Sequence, residues 1–114
     1  MQRINHSNWV KGESYQKRIL LEKLKDKLSL IEDVIVSPYG KIPCHSHKFT
    51  NEIFYITENS AIMIVNNEEF EVNPGELIYV NKNEIHGFKN ESDKEFKMLV
   101  LKINFQNGDS FLKD

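Results

Sequence analysis

The chain has 114 residues, enough for one domain with a single hydrophobic core. Its content of 39% hydrophobic and 28% charged residues is that of an ordinary globular domain. Because the formal net charge is −2 and no apolar run approaches the length of a membrane helix, we expect neither nucleic acid nor membrane as a partner. Cys44 is the only cysteine, which excludes an internal disulfide and a cysteine-rich zinc framework. Residues 1–10 also lack the apolar segment of a signal peptide, so we expect a cytoplasmic protein.

From Tyr15 onward the sequence predicts short strands that are separated by turn residues. The predicted strands cover residues 15–24, 28–37, 53–57, 61–65, 68–72, 77–80, 86–90 and 96–104. Asn66-Asn67 predicts a two-residue hairpin turn, since asparagine tolerates a positive φ. This close spacing of strands and turns is typical of an antiparallel sandwich or barrel. The alternative for residues 19–30 is a short helix, because Leu20, Leu24 and Leu28 have helical spacing.

Histidines are concentrated in one short stretch, residues 40–52. His45 and His47 lie two residues apart in a predicted extended segment, so both side chains point to the same face and can converge on one cation. Glu52 follows at the start of the next strand and can add a carboxylate. His86 comes after a later turn, and a neighbouring strand can bring it to the same point.

Three imidazoles and one carboxylate suit a divalent transition metal ion, namely Fe, Mn, Ni, Co, Cu or Zn, better than Mg or Ca. A His-x-His pair alone is a weak signal, because exposed histidine pairs are common. His86 alone is more typical of a turn or a core position, and His6 lies in the polar N-terminal segment, where we expect it to be solvated. The candidate site therefore depends on the combination of these residues with the turn residues around them.

The first stretch resembles a motif of the cupin superfamily: Gly, five residues, His-x-His, three or four residues, Glu, six residues, Gly. Here Gly40 is followed by four residues, then by His45, Ser46 and His47, and after four more by Glu52. Asn59 stands where the last glycine is expected. One residue is therefore missing after Gly40, and asparagine replaces glycine at a position where a positive φ is expected.

A second stretch resembles the other cupin motif: Gly, five residues, Pro-x-Gly, two residues, His, three residues, Asn. Gly75, His86 and Asn90 match it in register, whereas Asn81 and Asn83 stand in place of the proline and the second glycine. We expect Asn83 to take the turn conformation of the glycine and the loss of proline at Asn81 to loosen the loop that presents His86.

The resemblance implies an all-β fold, a cupin-type double-stranded β-helix (jelly-roll barrel) in a small single-domain, monocupin protein. We expect a flexible N-terminal segment over residues 1–14, the cupin barrel over residues 15–105 and a C-terminal tail over residues 106–114. It also implies one bound divalent transition metal ion. By carry-over from the motifs, its ligands are His45, His47, Glu52 and His86.

Strand alternation suggests which other side chains reach the site. If Glu52 points into the barrel, Phe54 and Ile56 follow it, and Phe88 follows His86; these three are pocket candidates, although each is a core residue first. Cys44 points away from the ligands, and we interpret it as a bystander.

The resemblance leaves two classes of function open. The first is a metalloenzyme of the dioxygenase, isomerase or lyase type that acts on a small organic molecule, with Glu52 as a possible catalytic base. The second is a non-catalytic module that binds or senses a small molecule. Arg3 and Arg18 are the only arginines, which disfavours a sugar-phosphate substrate unless lysines serve instead. We further expect a homodimer in which residues 15–24 pair with the sheet of a second copy, since exposed strand edges invite pairing.

Overall fold

The computed structural model describes residue 3, residues 7–22 and residues 29–113, which form eleven β-strands and no helix. The strands are β1 (Val10–Lys11), β2 (Tyr15–Glu22), β3 (Ser29–Val36), β4 (Lys41–Ser46), β5 (Asn51–Glu58), β6 (Ala61–Val65), β7 (Glu68–Val72), β8 (Leu77–Val80), β9 (His86–Lys89), β10 (Phe96–Ile103) and β11 (Phe111–Leu112). The prediction of an all-β chain is confirmed for this part of the sequence. A helix long and apolar enough to cross a membrane is not found among these residues.

The strands form two antiparallel sheets. One has six strands in the order β1-β2-β3-β10-β5-β8, and the other has five in the order β11-β4-β9-β6-β7. The core lies between them and draws on both, for example Phe54 and Met98 from the first sheet and Met63 and Phe88 from the second. Removing these apolar side chains from water is the main driving force for the two sheets to pack face to face.

Successive side chains of a strand point to opposite faces, so every second residue enters the space between the sheets. In β3 every second residue is buried, from Leu30 to Val36. In β10 the buried face carries Phe96, Met98 and Val100, and the alternate leucines are partly buried on the outer face. The sequence predicted the same alternation in β5 and β9, and there it places Glu52 with Phe54 and His86 with Phe88 on the inner face.

The alternative prediction, a helix over residues 19–30, is wrong for the part of this range that the structure describes. Residues 19–22 continue β2 and residues 29–30 begin β3, while residues 23–28 lie outside the described residues. The two strands pair antiparallel, with Leu21 opposite Ile31 after a register shift between Ile19 and Leu21. The alternating burial of β3 shows that a strand pattern, and not the helical spacing of the leucines, governs this region.

Asparagines occupy several turns that need a left-handed backbone. Asn66 and Asn67 have φ values of 49° and 72°, as expected for the predicted hairpin turn between β6 and β7. Asn59 and Asn83, which replace motif glycines, have φ values of 62° and 71°. The expectation that asparagine substitutes for glycine at these turns is therefore confirmed.

Short strands extend the sheets at both ends of the chain. β1 pairs with β2 through Val10 opposite Lys17 and Lys11 opposite Gln16, and β11 pairs with β4 through Phe111 opposite Ser46. Segments expected to be a loose N-terminal region and a tail thus contribute strands to the sheet edges. The segment before β11 also reaches the candidate site, because Asp109 accepts hydrogen bonds from the loop that follows His47.

Candidate metal centre

Four side chains converge between the sheets. One ligand atom from each of His45, His47, Glu52 and His86 lies within 4.8 Å of the others. His45 lies near the end of β4, His47 just beyond it, Glu52 in β5 and His86 at the start of β9. His45 and His86 are direct cross-strand partners, so the pairing of β4 with β9 brings two of the imidazoles together. The structure thus assembles the four residues that the motifs pointed to.

A register shift in β4 aims the first histidine at the site. Ile42 and His45 both line the same cavity although they are three residues apart, which regular alternation does not allow. The pairing with β9 shifts between these two residues, so the strand carries a bulge there. Pro43 lies in this bulge, where a proline is tolerated because a ladder hydrogen bond is already missing.

Each imidazole is oriented by a backbone carbonyl. Nδ1 of His45 donates to the carbonyl of Pro43 at 2.8 Å, and Nδ1 of His86 donates to the carbonyl of Glu84 at 3.0 Å. Nδ1 of His47 donates to the carbonyl of Asp109. A carbonyl can only accept, so each Nδ1 carries a proton and each Nε2 is left to face the centre. This is the arrangement that fixes the tautomer of metal-binding histidines.

The histidine Nε2 atoms and the Glu52 carboxylate require a positive charge between them. Oε1 of Glu52 lies 2.7 Å from Nε2 of His47 and 2.8 Å from Nε2 of His86. Nε2 of His47 is buried and has no aligned hydrogen-bond partner among the described residues. Neutral Nε2 atoms present lone pairs, and a carboxylate oxygen beside them is repelled unless a proton or a cation intervenes. This donor set therefore fits a divalent transition metal ion.

Burial and neighbouring charges shift the pKa values of these groups. Burial lowers the pKa of His45 to about 4, so that imidazole is neutral near pH 7 and can act as a ligand without losing a proton. Burial disfavours the charged form of His47 and alone would lower its pKa. The nearby Glu52 carboxylate favours that form more strongly, so the pKa of His47 is raised overall. Burial alone would raise the pKa of Glu52, but the close approach of the His47 and His86 imidazoles and the positive charge of Lys102 favour the carboxylate and hold the pKa well below its usual range.

Asp109 fixes the loop that carries His47. Its carboxylate accepts hydrogen bonds from the backbone N–H groups of Lys48, Phe49 and Thr50 at 2.8 to 3.1 Å, and from the Thr50 hydroxyl at 3.0 Å. Burial would raise the pKa of Asp109, but these hydrogen bonds lower it overall. The sequence analysis missed Asp109, because nothing in its local sequence marks it as a partner of a loop so far away.

The loop before His86 is held by hydrogen bonds despite the missing proline. The backbone N–H of Asn83 donates to the carbonyl of His47 at 2.6 Å, and that of Lys82 donates to the Asn51 side chain at 2.7 Å. The Asn81 N–H donates to Glu84 at 2.9 Å. The first bond connects the loop to the segment that carries His47, the second connects it to β5, and the third lies within the loop.

A cavity of about 280 Å³ opens beside the four side chains. Phe54 and Phe88, two of the three pocket candidates, border it, and their rings contact each other edge to face. Ile56, the third, is fully buried in the core and is not part of the cavity wall. Asn90 is buried as well, but its amide donates to backbone carbonyls, including that of Val36, and so has a structural role.

The cavity wall also contains charged residues that the sequence analysis missed. Lys17 of β2, Glu32 of β3 and Lys102 of β10 all line it. A signal was present in the sequence: Glu32 and Lys102 occupy core-facing positions in strands that otherwise place apolar residues there. A charged residue at such a position is rare unless it is paired or functional.

Comparison with known proteins identifies the family. Residues 33–102, more than half of the chain, match the family model described as the cupin domain. This chain belongs to the cupin family. It is 36% identical over 74 residues to an uncharacterised protein of Methanocaldococcus jannaschii, covering 64% of this chain and 58% of that one. It is 30% identical over 63 residues to quercetin 2,3-dioxygenase of Bacillus subtilis, covering 52% of this chain and 19% of that enzyme.

Solved structures confirm the fold: a cupin-2 domain of Rhodospirillum rubrum superposes with a TM-score of 0.80 over 97% of this chain and 76% of its own, at 16% identity. The polyketide cyclase RemF of Streptomyces resistomycificus superposes with a TM-score of 0.79 over 100% of this chain and 86% of its own, at 23% identity. The predicted double-stranded β-helix of the cupins is therefore correct. The sequence matches to the two curated relatives cover less than two thirds of each relative's length, 58% and 19%.

Proposed function

We propose that this cupin is a metal-dependent enzyme that acts on a small organic molecule at one divalent transition metal ion. His45, His47, Glu52 and His86 would hold the ion. The observation that carries the proposal is the convergence of their four ligand atoms within 4.8 Å, at the wall of a cavity of about 280 Å³. That volume lies just below the usual range of about 300–1,000 Å³ for ligand pockets.

The protein's own residues supply orientation and exclusion of water. Three carbonyls hold the imidazoles with Nε2 toward the centre, and Phe54 and Phe88 give the cavity an apolar side. Glu52 is held ionised, so it can serve as a ligand and, when released, as a proton acceptor. A bound ion would supply Lewis acidity and, where it is redox-active, chemistry with dioxygen.

The reaction we propose is of the dioxygenase, isomerase or lyase type. In support, one relative in sequence is a quercetin 2,3-dioxygenase and one relative in fold is a polyketide cyclase. Both names describe reactions of small organic molecules. The apolar aromatic wall beside a polar centre is suited to such a substrate.

The test is a turnover screen with each metal form of the protein. Protein reconstituted separately with Fe²⁺, Mn²⁺, Ni²⁺, Co²⁺, Cu²⁺ or Zn²⁺ is mixed with quercetin and with a panel of small keto and hydroxy acids. Dioxygen uptake and product formation are followed. We expect turnover in at least one form, its loss in His47→Ala and its retention in Glu58→Gln, which alters an exposed residue at the end of β5. No turnover in any form, together with ligand binding that survives metal removal, would establish a binding module instead.

We also propose that the protein forms a homodimer. Among the described residues, β1, Gly12 and Ser7 cover the outer edge of β2 only from Tyr15 to Ile19. Uncovered strand edges favour pairing with another chain. Light scattering at micromolar concentration should give the mass of two chains, and a monomer mass would contradict the proposal.

A further inference from the structure

A second charged cluster lies in the cavity next to the proposed metal ligands. Nζ of Lys102 lies 2.9 Å from Oε1 of Glu32, and Nζ of Lys17 lies 3.5 Å from Oε2 of the same carboxylate. The side chains of Glu32 and Lys102 are only 4% and 12% exposed, whereas that of Lys17 is 43% exposed. Lys102 is therefore the inner cation of the cluster, and Lys17 lies nearer the solvent.

The pairing of β10 with β5 places Lys102 beside the metal ligands. Lys102 is the direct cross-strand partner of Glu52, so the two side chains project from the same face of the sheet. Side chains at such positions are neighbours, with Cβ atoms about 5 Å apart. Both residues line the cavity, as do the three histidines. One small cavity thus contains a candidate metal centre and a nearly buried ammonium group.

The charges of the cavity favour an anionic ligand. The charged side chains that the structure describes in the cavity wall are two lysines and three carboxylates, namely Glu32, Glu52 and Asp109, so a bound divalent ion would leave one positive charge uncompensated. A buried charge is costly unless it is paired, and an anionic ligand would supply the missing partner.

Lys102 has the donors to bind such a ligand. An ammonium group carries three N–H donors. Among the described residues, Glu32 is the only acidic side chain in an ion pair with Lys102. Donors beyond that pair are available to a molecule in the cavity, and Glu32 keeps the lysine in position.

From this geometry we infer that the substrate carries a carboxylate distinct from the group that reacts at the metal, and that Lys102 binds this carboxylate. The inference rests on the proposed function, because it names the substrate class of the same site. Lys102 is thus a specificity-determining residue, and Glu32 is a positioning residue that also competes with the substrate for the ammonium group. The cavity wall, as far as the described residues form it, contains no arginine, so lysine takes the role of binding the anion.

The test compares dicarboxylates with matched monocarboxylates. Malonate, succinate and glutarate are titrated calorimetrically into Co²⁺-loaded protein, each against propionate, butyrate or valerate, in which a methyl group replaces the second carboxylate. We expect at least one dicarboxylate to bind about ten-fold tighter than its partner, the size of one charge-assisted hydrogen bond. Lys102→Met should abolish that preference. Glu32→Gln should enlarge it, because it removes the competitor.

Two further variants control for folding and for general charge. Lys97→Met alters a partly exposed lysine of the same strand that lies outside the cavity wall, and it should leave the preference unchanged. The double variant Glu32→Gln/Lys102→Met removes both charges of the ion pair, so no buried carboxylate is left without a cation. Like the single Lys102→Met variant, it should not prefer dicarboxylates.

The outcomes separate this inference from the proposed function. Wild-type protein that binds Co²⁺ but does not prefer any dicarboxylate, or a preference that persists in both Lys102 variants, would overturn the inference alone. Wild-type protein that binds neither Co²⁺ nor any of the other candidate ions would overturn the proposed function and the inference with it.

Discussion

The backbone carbonyl of Asp109 accepts a hydrogen bond from Nδ1 of His47, a residue 62 positions earlier in the chain. The same residue's carboxylate binds the loop that follows His47. One C-terminal residue therefore orients an imidazole through its main chain and immobilises the surrounding loop through its side chain. The geometry of the candidate metal centre depends on a segment that lies outside the two sequence motifs.

Replacing Asp109 with alanine should weaken both folding and metal binding. The loss of the hydrogen bonds to the loop should reduce the free energy of unfolding by about 1–3 kcal/mol. Metal affinity should fall about ten-fold, as is usual when a group that supports a ligand is lost. Urea unfolding and chelator competition measure the two effects. Asp93→Ala, at an exposed position, is the control and should change neither.

The stabilisation by Asp109 should depend on pH in a defined direction. Its pKa in the folded protein is lowered from the ordinary value of 3.8, so the unfolded chain takes up a proton first as the pH falls. The stabilisation is complete above that ordinary pKa and is lost as the pH falls through the lower folded value. The difference in unfolding free energy between wild type and Asp109→Asn should be constant near neutral pH and shrink below about pH 4. A difference that grows on acidification would contradict this assignment.

Gly87 should not tolerate a side chain. A Cβ at this position would lie 2.7 Å from the Ile42 carbonyl oxygen and 3.0 Å from both the backbone nitrogen and Sγ of Cys44. Two of these atoms belong to the backbone of the bulge that aims His45, and they cannot move without moving the histidine. We expect Gly87→Ala to lower the melting temperature and to weaken metal binding together.

The matched control for this variant is Gly12→Ala. Its nearest contact would be the carbonyl oxygen of Tyr15 at 3.1 Å, which a small shift of the backbone can relieve. It should leave metal affinity unchanged. If Gly87→Ala binds metal as tightly as wild type, the bulge does not control the position of His45.

Replacing Glu52 with glutamine should remove the only anionic ligand of the proposed centre. Loss of a supporting group costs 10–100-fold in metal affinity, so loss of a ligand should cost at least about 100-fold. The pKa of His47 should also fall, because the Glu52 carboxylate is what raises it. Chelator competition and NMR titration of the imidazole measure the two effects. Glu58→Gln, at the end of the same strand, should behave as wild type; equal affinities in the two variants would exclude Glu52 as a ligand.

The sequence was sufficient for those features that depend on short-range patterns. Alternation placed Phe54 and Phe88 on the inner face with Glu52 and His86, and the positive φ values of Asn59 and Asn83 followed from residue type. These are properties of single strands and single turns, which a local sequence determines.

The features that escaped prediction depend on strand pairing. The bulge between Ile42 and His45 exists only relative to β9, and Asp109 reaches His47 only after β11 has paired with β4. Ile56 was assigned to the pocket by alternation, which gives the face of a residue but not its depth along the barrel. Lys102 differs from these residues, because its place on an otherwise apolar strand face can be read from the sequence. Its pairing with Glu32 and its position beside Glu52 depend again on strand pairing.

The most direct test of the central claim is elemental analysis of protein that has been purified without added metal and without a metal-affinity tag. We predict a divalent transition metal ion on each wild-type chain and its loss in His86→Ala and Glu52→Gln. Wild-type protein that is metal-free, and remains so after incubation with each candidate ion, would contradict the account.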